Sequence, residues 1–319
     1  VADTVRITDV SPRDGLQNEP GVISTQDKVR LIELLAVTGV DEIEATSFVS
    51  PKWVPQLGDA GEVVKGLANL PLPEGGGRGV GSEGDASRRA ILSALVPNER
   101  GMQSLLDANL AAGAMVISKV AVFTAASETF SRKNTNASIA ETIERFGPVV
   151  KAAAQEGLEI RAYISCAIAC PFEGPTAPAK VVEVAGMLLE LGVDEIDLGD
   201  TIGAGTHEST EALLRGYDEE FSIGPTAVPL TMHFHDTFGR AAECVRVSLE
   251  RGVRSFDGSA GGLGGCPYAS TRGTRAPGNI ATELLVRTVH AAGLKTGVDL
   301  DALERAGEHA RRIVAAARG

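Results

Sequence analysis

The sequence predicts an α/β fold, a closed (β/α)8 TIM barrel with a C-terminal helical extension, on three observations. Eight short β-branched runs recur along the chain, most are followed by an amphipathic stretch, and the eight units fit within roughly 290 residues. A doubly wound open sheet would produce the same local pattern, so closure is what the number of units favours. The strand candidates are 5–10, 42–48, 90–96, 119–125, 159–165, 195–201, 229–236 and 254–258. After the first strand, Thr25 offers an N-cap, and Val29, Leu31, Ile32, Leu34, Leu35 and Val37 recur at helical spacing until Gly39 stops them. Further helices are expected near 59–69, 100–112, 138–155, 177–191, 207–216, 239–251 and 279–292. Residues 1–295 are thus read as the catalytic barrel, and 296–319 as a helical extension packing on it.

Within that frame, the segment 70–85, LPLPEGGGRGVGSEGD, carries too few apolar residues to pack and reads as a loop. Its Gly79, Gly81 and Gly84 match G-x-G-x-x-G, but no strand leads into them, so a dinucleotide site is not expected. Of the 319 residues, 43% are hydrophobic, and 42 acidic against 30 basic residues leave a formal charge of -12. That surplus argues against nucleic acid or anionic membrane as a partner. No leader or spanning stretch is visible, and four cysteines are too few for a disulfide framework, so a cytoplasmic protein with reduced thiols is expected.

Chemistry concentrates where barrel strands end. His233 and His235 stand at i and i+2 at the end of the seventh strand, so their rings share one face. Taken alone, the pair is equally a hydrogen-bonded structural couple. The first strand, however, runs into Ser11-Pro12-Arg13-Asp14-Gly15, and closure brings strand one near strand seven. Asp14 plus two neutral imidazoles then makes half of an octahedral site open to oxygen ligands, although Asp-Gly is also ordinary turn chemistry. Gly261-Gly262-Leu263-Gly264-Gly265-Cys266 follows the eighth strand, and its glycines would let Cys266 approach the same mouth. Cys166 and Cys170 have no nearby base and read as packing residues. Glu44 and Asp200 are carboxylates among apolar neighbours and need partners. Glu44 suits Arg13, and Asp200 with Thr201 suits a substrate, a metal-bound water or a purely structural role. His207, His290 and His309 lie in predicted helices and read as solvent-facing.

Together, SPRDGLQNE, IEATSFVSPKWVPQLGD, FTAASETFSRKN, SCAIACPFEG, LGDTIGAG, HFHDTFGRA, GGLGGCPYA and PGNIATE resemble the 3-hydroxy-3-methylglutaryl-CoA lyase family across nearly the whole chain. That family belongs to a metal-dependent barrel superfamily that also holds the isopropylmalate and homocitrate synthases. The resemblance implies a divalent cation, Mg2+ or Mn2+, on Asp14, His233, His235 and Asn279. It also implies Arg13 as catalytic arginine, Cys266 as loop cysteine and Glu44 as the acidic position of the second strand. Gln17 and Ser47, inside two of the shared segments, join Asp200 and Thr201 as candidate substrate-binding residues. The implied reaction is retro-Claisen cleavage of 3-hydroxy-3-methylglutaryl-CoA, with Asp14, a water or an imidazole such as His233 taking the hydroxyl proton and Cys266 returning one. Alternatives are a related 3-hydroxy-3-alkylglutaryl-CoA as substrate, or a Claisen condensation of an acyl-CoA with a 2-oxoacid. An acyl-CoA partner and a homo-oligomer, a dimer, are expected. The segment between Cys266 and Asn279 is about four residues longer than the family pattern, which bears on the Asn279 assignment.

Overall fold

A computed structural model of the protein describes residues 3–70, 90–265 and 278–319. Eight parallel strands close on themselves: β1 (Arg6–Asp9), β2 (Glu42–Ser47), β3 (Ile91–Leu95), β4 (Lys119–Ala125), β5 (Glu159–Ser165), β6 (Glu195–Asp200), β7 (Leu230–Phe234) and β8 (Ser255–Gly258). Neighbours in sequence are neighbours in the ring, and β1 closes on β8 with Arg6 opposite Ser255 and Asp9 opposite Gly258. This is the (β/α)8 barrel predicted, with every strand where the periodicity placed it.

The strands alternate for a reason that closure makes plain. Ile43, Val120, Val122, Ile160, Ala162, Ile164, Ile196, Leu198, Met232 and Phe256 belong to the main apolar core. Many of their intervening neighbours are polar and meet across the barrel axis, while Leu95, Ala121 and Tyr163 form a small apolar cluster of their own. Arg161 donates through Nη2 to Thr8 Oγ1 and Glu42 Oε2, both at 3.1 Å, and through Nη1 to Asp257 Oδ1 at 3.0 Å. Lys119 Nζ reaches Glu42 at 2.7 Å and Glu195 at 2.5 Å. Branched apolar side chains commonly fill a barrel interior of this kind; here a buried ion network occupies part of it. Each of these charges faces an opposite one, which lowers the cost of burying it.

The helices are α1 (Thr25–Ala36), α2 (Ala60–Gly66), α3 (Glu99–Ala112), α4 (Glu128–Thr135), α5 (Ile139–Glu156), α6 (Pro178–Leu191), α7 (His207–Phe221), α8 (Ala241–Glu250), α9 (Thr282–Ala291) and α10 (Leu300–Arg318). α5 starts on a capping box in which Ser138 Oγ accepts from the Glu141 N–H and the Glu141 carboxylate accepts from the Ser138 N–H. α4 is absent from the periodicity reading, because only Phe130 and Ser131 of its eight residues are buried. α10 begins on Asp299, whose side chain accepts from Asp301 and Ala302 N–H groups. It packs against α1 and against the turn Ala260–Gly262 that follows β8. A Cβ at Gly307 would stand 3.0 Å from the Gly261 nitrogen and closer still to Glu283, so this approach needs glycine. His309, expected to face solvent, is buried instead: Arg312 donates to its Nδ1, and its Nε2 faces the Asp27 carbonyl where α10 meets α1. His207 and His290 are exposed as expected. No helix among the described residues is long and apolar enough to cross a membrane.

Candidate metal and active site

The C-terminal end of β1 runs into a single π-helical turn, Ser11–Gly15, closed by the Gly15 N–H donating to the Val10 carbonyl. Asp9, fully buried, holds this corner: its oxygens accept from Ser11 N–H, Ser11 Oγ, Ala260 N–H and Thr282 Oγ1. One side chain therefore ties β1 to the loop after β8 and to α9. The turn delivers Arg13 and Asp14 to the barrel mouth, where barrels of this type carry their chemistry.

There Asp14, His233 and His235 each offer a ligand atom, and the three atoms lie within 4.8 Å of one another. The spacing suits a single ion among them. Asn279 forms an isolated bridge with His235, and its Nδ2 donates to Asp14 Oδ2 at 2.9 Å and to the Leu263 carbonyl at 3.1 Å. Its Oδ1 is buried without a partner, as is His235 Nδ1. An orphaned carbonyl-type oxygen beside a carboxylate and two imidazoles fits a hard divalent cation. The predicted quartet is therefore brought together, with Asn279 just ahead of α9 rather than inside it.

Electrostatics follow from the packing. Arg13 Nε donates to Glu44 Oε2 at 2.5 Å and Nη1 to Asp14 Oδ1 at 2.6 Å. Burial alone would lower the Arg13 pKa, but the two carboxylates overcome it and keep the guanidinium charged. Burial works to raise Asp14, yet Arg13 and the two histidines outweigh it and bring the carboxyl down to about 2. Glu44 moves upward, because burial exceeds the pull of Arg13. Burial and the neighbouring His233 lower His235 to about 4, which leaves its ring neutral and able to donate a lone pair. His233 goes the other way: burial would depress it, and Asp257 beside its Nδ1 holds it above the ordinary value.

Other predicted residues divide. Ser47 is buried at the end of β2 and its Oγ accepts from the Val49 N–H. Gln17 is half-buried just past the π turn. Both Asp200 oxygens are taken by the Ala204 and Gly205 N–H groups, at 3.0 and 2.8 Å, and burial pushes its carboxyl up to about 6. Thr201 Oγ1 accepts from the Cys166 N–H at 2.7 Å, which leaves its O–H to donate. Cys166 and Cys170 are buried with Ala125 and Phe130, in the packing role expected. Cys266 and the G-x-G-x-x-G segment lie outside the described residues. The preceding Gly264 has φ +104°, and a Cβ there would meet Asn279 Nδ2 at 2.7 Å, so the glycine run ends directly against the site.

Two residues here escaped the sequence reading. Tyr163 lies under the Arg13 guanidinium, 5.4 Å from its ring centroid, and edge-on to His233. Asp257 backs His233. Their legible signal was Arg161 and Tyr163 at i and i+2 in β5, and an acid inside the short eighth strand.

The HMGL-like family profile matches residues 4–309. Among known proteins, the chain is 45% identical over 304 residues to the cytoplasmic 3-hydroxy-3-methylglutaryl-CoA lyase of Danio rerio, spanning 95% of this chain and 81% of that one. It is similar in structure to the HMG-CoA lyase of Brucella melitensis, with 43% identity, full coverage of both chains and a TM-score of 0.83. It is also similar to an HMG-CoA lyase of Acinetobacter baumannii solved with coenzyme A and 3-methylmalate, at 31% identity, 98% and 92% coverage and a TM-score of 0.79.

Proposed function

The chain belongs to the HMGL-like family, and from that membership we infer that it cleaves 3-hydroxy-3-methylglutaryl-CoA into acetoacetate and acetyl-CoA. The observation that carries the reading is the convergence of Asp14, His233 and His235 beside the buried Arg13.

Asp14, His233, His235 and Asn279 would hold a divalent cation, for which their mixed oxygen and imidazole set suits Mg2+ or Mn2+. Bound there, such an ion would supply Lewis acidity toward the substrate hydroxyl. That acidity is needed, because a carboxylate with a pKa of about 2 is a weak base toward a tertiary alcohol. Asp14, directly or through a water, receives the hydroxyl proton. The C3 oxygen pair then closes the acetoacetate carbonyl while the C2–C3 pair moves to C2 as the enolate of acetyl-CoA. Arg13 has two N–H donors committed to Glu44 and Asp14, which fixes its plane and leaves the remaining donors for the enolate oxygen. Tyr163 supports that plane from beneath. Cys266 returns a proton to C2, a role that rests on its place after the glycine run.

Gln17, Ser47 and the Thr201 hydroxyl contribute polar contacts to the substrate, while Asp200 acts through the 201–206 loop that its two oxygens hold. Residues 1–295 form the catalytic barrel, and 296–319 the extension that braces the turn after β8. The assembly is a homodimer; a cytoplasmic location is in keeping with the Danio rerio relative, which carries that word in its name.

A panel of 3-hydroxy-3-alkylglutaryl-CoA thioesters, assayed with and without chelator and with products identified by mass spectrometry, tests the reading. Acetoacetate and acetyl-CoA from the methyl compound, lost on chelation and restored by Mg2+ or Mn2+, is the expected outcome. Turnover only with a longer alkyl group, or net condensation of acetyl-CoA with a 2-oxoacid, replaces it.

A further inference from the structure

The two imidazoles of the site are not equivalent. Asp257 in β8 is in register with His233 in β7, so the two side chains leave the ladder side by side. Asp257 Oδ2 is 3.4 Å from His233 Nδ1, while its Oδ1 accepts from Arg161 Nη1 at 3.0 Å. Arg161 is itself forked onto Glu42, Glu195 and Thr8. Asp257 is 1% exposed, and turning it would strip Arg161 of a partner, so the carboxylate has one orientation available. A carboxylate so held accepts from Nδ1–H, and in a neutral ring that leaves the Nε2 lone pair as the free donor atom. Nothing of the kind stands behind His235, whose Nδ1 has no partner among the described residues.

We propose that Asp257 is a positioning residue: it fixes the tautomer and plane of His233, and through Arg161 it ties one ligand of the site to the ion network of the barrel interior. The proposal rests on the cation reading given above. Carboxylates behind a ligating histidine commonly govern 10- to 100-fold of metal affinity, so a loss of that order is expected here.

Mn2+ is titrated calorimetrically into chelator-stripped protein, wild type and Asp257→Asn, with far-ultraviolet circular dichroism as the check on folding. The variant should bind Mn2+ about 10- to 100-fold more weakly while its spectrum is unchanged. A dissociation constant within about twofold of wild type, in a folded variant, overturns the proposal. Because Asp257→Asn leaves Arg161 less neutralised and could fail to fold, the imidazole 15N shifts of the unmutated, metal-free protein at alkaline pH provide a second measurement. They should report His233 as the Nδ1–H tautomer, and an Nε2–H tautomer refutes the assignment. Wild-type protein that takes up no Mn2+ overturns the cation reading together with this one, a result distinct from a variant that binds as well as wild type.

Discussion

Replacing Arg13 with Met removes a guanidinium that touches both Glu44 and Asp14, and two separable effects should follow. The first is catalytic. A donor aimed at a developing oxyanion in a buried site is worth about 2.7–4 kcal/mol, so kcat should fall by about 10²- to 10³-fold with little change in KM. The second is structural. Removing one partner of a buried ion pair costs about 3–5 kcal/mol, because the partner is stranded. Glu44 is the group stranded here, at 0% exposure, and its upward-shifted pKa means that it would take up a proton and recover part of that cost. Adding Glu44→Gln to Arg13→Met removes the stranded acid outright. The double variant should therefore regain melting temperature without regaining turnover. Steady-state release of acetoacetate, measured beside thermal unfolding, separates the two effects. A folded Arg13→Met protein that keeps more than about a tenth of wild-type kcat would show that Arg13 does not stabilise the transition state.

Three further outcomes are expected. Cys266→Ala should abolish lysis while leaving bound Mn2+ at the wild-type stoichiometry, as measured by atomic emission; full activity would remove Cys266 from the reaction. Asp200 is raised from 3.8 to about 6 by burial, so between those values the folded protein holds a proton that the unfolded chain has released. Its contribution to stability therefore declines by roughly 3 kcal/mol as pH rises from about 4 to above 6. Urea unfolding across that window should show a steeper decline in wild type than in Asp200→Asn, where the similarly raised Asp9 still contributes; parallel curves would rule out the Asp200 share. Gly264→Ala places a methyl group 2.7 Å from Asn279 Nδ2 at φ +104°, so Mn2+ affinity and kcat should both drop, by about tenfold or more, together with a lower melting temperature from the strained backbone. Unaltered Mn2+ binding in that variant would mean that Asn279 does not hold the ion.

Much of the site was legible before any coordinates. Strand periodicity placed all eight barrel strands, and the i, i+2 rule put both histidines on one face. Asn279 was harder to secure, since the extra residues after Cys266 blurred its alignment; the bridge to His235 and the orphaned Oδ1 are what place it beside the ion site. α4 went unread because it is mostly polar, although Ser127 caps it in the usual way, accepting from the Phe130 N–H. His309 was misread because helical position alone does not say which face another helix covers.

The linear chain by itself determined the strands and helices, since periodicity is a local property of each element, and the number of strand-helix units favoured their closure. It also determined the identity of the residues that end at one rim. Only the tertiary structure decided which charges pair, because Lys119, Arg161, Glu42, Glu195 and Asp257 come from five strands and meet only once the sheet has closed. The same closure sets the protonation of Asp14 and of the two histidines. Those shifts depend on burial and on which neighbours closure supplies, Asp257 from the next strand for His233 and, for Asp14, two histidines more than 200 positions away.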